Sequence, residues 1–125
     1  MTRSTVAAAL AALGGLSLAC QSAGRTTESL TGTLDPRAST AAAVVLAVDG
    51  EVDTTLASIT PPVTVGLGFG TPTSDGACTL LASNTTATVG TVVSADAGPG
   101  SYCVLVYDVG NLSASASFTL TIAHP

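Results

Sequence analysis

The chain has 125 residues and a formal net charge of −5, from three basic and eight acidic side chains, and 46% of it is hydrophobic. That length bounds it at one domain. With no lysine and no basic stripe, binding to nucleic-acid phosphates is disfavoured, and so is charge-driven docking on anionic lipid.

In chain order, the first element reads as a targeting segment. Arg3 supplies one positive charge, and Val6 to Leu18 (VAAALAALGGLSL) is an uncharged apolar run that ends in the small residues Ser17 and Ala19. The run is shorter than the roughly 20 residues that span a bilayer. This layout predicts a signal peptide over residues 1–19. Cys20 follows in LSLAC, which resembles the lipobox of bacterial lipoproteins, where the cysteine becomes the acylated first residue. Ser17 stands where the lipobox carries leucine, with Leu16 and Leu18 on either side. The alternative is cleavage by an ordinary signal peptidase that uses Ser17 and Ala19. Residues 20–28 then read as a flexible tether, because QSAGRTTE is small and polar with no apolar period. Its eight residues reach at most about 28 Å, so an acylated Cys20 holds the domain close to a membrane in the cell envelope.

From residue 29 to 125 the pattern has period two, the mark of half-buried strands. Expected strands are Leu30–Leu34, Val44–Val48, Val52–Ser58, Val63–Phe69, Cys78–Ser83, Thr88–Val93, Tyr102–Tyr107 and Phe118–Ala123. Asp35-Pro36, Pro61-Pro62, Asp75-Gly76, Gly98-Pro99-Gly100 and Gly110-Asn111 mark turns between them. Asp49-Gly50, between Val48 and Val52, predicts a tight hairpin. Tyr102 to Tyr107 is apolar on both faces, which predicts a central strand covered on both sides. The fold class is therefore all-β, a single β-sandwich of about eight short strands.

Exported chains meet oxidising compartments, where an even pair of cysteines forms a disulfide. Cys78 and Cys103 are that pair, closing a loop of about 25 residues worth roughly 3 kcal/mol of unfolded-chain entropy. A reactive Cys103 needs a base and a positive environment, and Tyr102, Val104, Leu105 and Val106 supply neither.

The strand LTGTL (Leu30 to Leu34), the stretch DGEVDTTL and the closing runs AGPGSYCVLVYDVGNL and FTLTIAHP together resemble the bacterial pre-peptidase C-terminal domain. The resemblance covers Ser29 to Pro125. It implies a small jelly-roll-like sandwich with mainly antiparallel strands, a non-catalytic appendage of secreted enzymes and surface proteins.

Chemistry-bearing candidates are few. Asp49, Glu51 and Asp53 cluster in one turn and are the calcium candidates, weak ones because no D-x-D-x-D-G loop with a closing glutamate surrounds them. No metal and no cofactor is otherwise expected. Gly66, Gly68 and Gly70 alternate with Val65, Leu67 and Phe69, which predicts a sheet face where something packs close rather than a phosphate loop. His124, the single histidine, lies on a terminus expected to fray. No catalytic residue is expected. The function expected is a non-catalytic envelope lipoprotein with a structural or protein-interaction role; the alternative is a secreted glycan- or calcium-binding module.

Overall fold

The period-two pattern becomes eight strands in the computed structural model, which describes residues 25–125. They are β1 (Thr26–Leu34), β2 (Ser39–Leu46), β3 (Gly50–Thr60), β4 (Val65–Pro72), β5 (Cys78–Ala87), β6 (Val92–Ala97), β7 (Gly100–Tyr107) and β8 (Ala116–His124). Sheet A has the order β1-β8-β3-β6 and sheet B the order β2-β7-β4-β5, and every ladder is antiparallel. This is a jelly-roll sandwich. Only β4 and β5 are both consecutive and paired; every other connection carries the chain from one sheet to the other.

Each strand turns one row of side chains into the space between the sheets. Leu34, Val52, Leu56, Val65, Leu67, Phe69, Val104 and Val106 are fully buried there, with Leu120 all but so. Phe69 is the largest, and its ring stacks on Tyr102 at 5.1 Å between centroids. Each such side chain contributes about 1.5–3 kcal/mol by leaving water. Thr54 is buried among them, and its hydroxyl has no hydrogen-bond partner among the described residues.

A bulge in β3 keeps its inward row apolar. The ladder to β8 runs Leu56 opposite Leu120, then Ser58 opposite Thr119, so Ala57 is the extra residue. Strict alternation after Leu56 would point Ser58 inward and Ile59 outward. With the extra residue, Ala57 and Ser58 both face solvent and Ile59 is buried.

Several strands differ from the expected ones, and β2 starts five residues before the expected Val44 and ends at Leu46 rather than Val48. β1 begins at Thr26, so Thr26, Thr27 and Glu28 belong to the sheet rather than to a tether. Asp49-Gly50 is not a hairpin, because β2 lies in sheet B and β3 in sheet A; a turn dipeptide signals a reversal but not which sheet receives the next strand. The expected strand Thr88–Val93 straddles a turn, closed by the Thr91 amide donating to the Thr88 carbonyl at 2.9 Å, with Gly90 at φ 95°. β7 is central within its sheet, as expected, yet among the described residues no third layer lies over its outer row: Cys103 is buried, while Leu105 and Tyr107 are only half-buried.

Candidate functional site: the outer faces of the two sheets

Cys78 and Cys103 are disulfide-bonded, with Cα atoms 6.0 Å apart. Cys103 lies on the outer row of β7 opposite Gly70 of β4, and Cys78 opens β5 opposite Pro72. β4 stands between the two bonded strands. β5 has an extra residue at Leu81, between the pairs Phe69–Ala82 and Gly70–Leu80, and it leans over β4. A Cβ on Gly70 would collide with the Thr79 carbonyl, so the missing side chain permits the approach that brings Cys78 to Cys103. The neighbouring glycines are covered as expected. The Tyr107 ring lies over Gly66, and the Leu80 methyl groups stand 2.6 and 2.8 Å from where a Cβ of Gly68 would be.

The rest of the outer face of sheet B carries no charge. The strands STAAAVVL, VGLGFGTP, CTLLASNTTA and GSYCVLVY contain no acidic or basic residue, in a chain with eight acids and three bases. A shallow groove of about 260 Å³ lies beside the disulfide. Ala41, Ala43 and Val45 of β2 form one wall, and Pro72 and Ala77 at the β4–β5 turn form the other. Val45 is 66% exposed. The outer face of sheet A is the opposite in kind. Its cross-strand rows are hydroxyl-rich, such as Thr31–Thr119–Ser58 and Ser29–Thr121–Thr55.

The three calcium candidates do not come together. Glu51 and Asp53 are both on the outer row of β3, two residues apart, a rise of roughly 7 Å. Asp49 instead lines a shallow depression at the end of the sandwich with Asp96. Asp53 is already engaged: Arg25 Nη2 donates to Oδ2 at 3.0 Å and Ser94 Oγ to Oδ1 at 2.6 Å. Arg25 also donates to the Glu51 carbonyl at 2.8 Å. Calcium requires six to eight converging oxygens, and among the described residues no three His, Cys, Asp or Glu side chains are grouped to hold a metal. Among the described residues, then, nothing gathers the three candidates into a calcium cage. The Arg25–Asp53 ion pair is partly exposed and adds at most about 1 kcal/mol.

His124 is not on a fraying end. It is 6% exposed and pairs with Thr26 at the edge of the β1–β8 ladder. Its Nε2 meets Glu28 Oε2 at 2.5 Å, and its Nδ1 meets the Pro125 carbonyl at 3.0 Å. The signal for this was in the sequence: Phe118, Leu120 and Ile122 place position 124 next on the same inward row.

Two further aspartates hold loops. Asp108 Oδ2 accepts from the Arg37 amide at 2.8 Å, and Oδ1 accepts from the amides of Gly110 and Asn111 at 2.8 and 2.9 Å and of Leu112 at 3.2 Å. The Arg37 amide above all, aided by the other three, holds this carboxyl below its ordinary value. Asp75 is lowered in the same way, first by the Thr73 hydroxyl and then by the Ala77 amide. Asp108-x-Gly110-Asn111 is a recognisable side-chain-to-backbone turn pattern, and it clasps the β7–β8 loop to the β1–β2 turn. Cys20 lies outside the described residues. No family model matches the chain, and no curated protein matches it.

Proposed function

We propose that this chain is a non-catalytic cell-envelope lipoprotein, held to a membrane through Cys20, whose sandwich domain serves protein interaction. The observation that carries the interaction role is the uncharged outer face of sheet B, with its groove beside the disulfide and an exposed Val45. A surface rich in small apolar side chains and free of charge marks an interaction site when the remaining surface is polar. Export is supported by the Cys78–Cys103 bond, which belongs to oxidising compartments.

The non-catalytic part rests on how the histidine is held. Among the described residues the ring nitrogens of His124 meet only Glu28 and the Pro125 carbonyl, so the histidine activates no hydroxyl or thiol there. The jelly-roll order supports kinship with pre-peptidase C-terminal domains as part of the same proposal. Replacing Cys20 by Ser tests the anchor: the native chain is expected in the membrane fraction of its host, and C20S in the soluble exported fraction. An unchanged membrane distribution would refute the anchor.

A further inference from the structure

Sheet A ends in β1 and β6, and sheet B in β2 and β5. An edge strand presents unpaired N–H and C=O groups, and proteins blunt such edges with charge, proline, bulges or brevity. Three of the four edges here are blunted. β1 carries Glu28, and β6 is six residues long with Asp96. β5 is broken by irregularities near Leu81 and near Thr86, where the Asn84 side chain accepts from the Thr86 amide and hydroxyl at 2.8 and 3.0 Å.

β2 has none of these features. Its eight residues, STAAAVVL, contain no charge, no proline and no glycine. It pairs with β7 without a break from Ser39–Tyr107 to Leu46–Gly100. Among the described residues its other edge enters no ladder; the one hydrogen bond to β1 is the Thr40 hydroxyl donating to the Thr33 carbonyl at 2.9 Å.

We propose that β2 pairs with β2 of a second copy of this chain, antiparallel about a twofold axis, so that two B sheets become one sheet of eight strands. Two features fit this edge to a second copy. The first is charge. Copies of this acidic chain repel, yet no strand of sheet B carries a charged residue, so this edge is where two copies approach with least opposition. The second is symmetry. With the axis at Ala42, Ala41 of each copy faces Ala43 of the other, Ser39 faces Val45 and Thr40 faces Val44. Exposed residues then pair with exposed ones, inward with inward, and small side chains flank the axis where the backbones must approach.

The interface is one strand edge with its flanking rows, in the size class of transient association. It gives a partner to the interaction role proposed above. It rests on that reading only for its setting at a membrane, because dimerisation is read by mass in solution and anchoring by fractionation.

The test is sedimentation velocity on the full chain, as isolated from its host in mild detergent, over a range reaching about 1 mM. Ala41 and Ala43 are exposed, so A41K/A43K and A41E/A43E should keep the native far-ultraviolet circular dichroism and thermal midpoint. The native chain is expected to dimerise with rising concentration, and each doubly substituted chain to lose the dimer. An equimolar mixture of the two variants is expected to recover it, because lysines on one copy then face glutamates on the other. A native chain that stays monomeric throughout, variants that still dimerise, or a mixture that stays monomeric would each overturn the proposal.

Discussion

Thr54 and Asp108 show how differently a polar group can sit in this sandwich. The Thr54 hydroxyl is fully buried without a partner among the described residues, a condition that costs about 1–3 kcal/mol. T54V keeps the shape and removes the unpaired group, so chemical denaturation should show a gain of about 1 kcal/mol. Asp108 is the converse, a carboxylate satisfied by four amides. Its folded value lies below the unfolded one, so its contribution is fully present above about pH 4 and is lost as pH falls through the folded value. D108N turns an amide donor toward amide donors. It should lower the thermal midpoint at pH 7, and the gap to the native chain should narrow in acid as the native carboxylate protonates. A gap of constant size down to the acid limit would contradict this assignment.

At the scale of elements, period-two alternation was enough to locate most strands, because most have one wet and one dry row; in β4 both rows are buried, and alternating glycine stood in for the wet row. Alternation reports the row and not the partner. Asp49-Gly50 therefore read as a hairpin although its flanking strands belong to different sheets. Thr88 to Val93 is rich in β-branched residues on both sides of Gly90, which hid the turn. The apolar outer row of β7 was visible, but its lack of a covering layer was not. In the candidate surface, the glycines of β4 and the cysteine pair were legible from spacing. The Arg25 contacts to Asp53 and Glu51 were not, since they join positions 28 and 26 residues apart.

The β3 bulge makes a sharp prediction. Deleting Ala57 leaves Leu56 inward, Ser58 outward and Ile59 inward, so the core row survives. Deleting Thr55 moves Leu56 outward and puts Ala57 in its place, equivalent to a Leu-to-Ala change costing about 2–5 kcal/mol. Thermal melts should rank the Ala57 deletion well above the Thr55 deletion, and the reverse order would refute the bulge assignment.

For the whole molecule, topology and the disulfide belong together. Only β4 and β5 form a local pair, so nearly all strand pairing closes long loops before it is rewarded. The Cys78–Cys103 bond, across 25 residues, shortens the search by tying β5 to the central β7. The proposed function depends most on export into an oxidising compartment followed by anchoring, which would set the disulfide-bonded domain beside a membrane. Intact mass spectrometry of the protein from its native host is the direct measurement. The expected mass is that of residues 20–125 with acyl groups on Cys20 and two hydrogens fewer than the fully reduced chain. A chain that retains residues 1–19, with all three thiols free, would contradict the account.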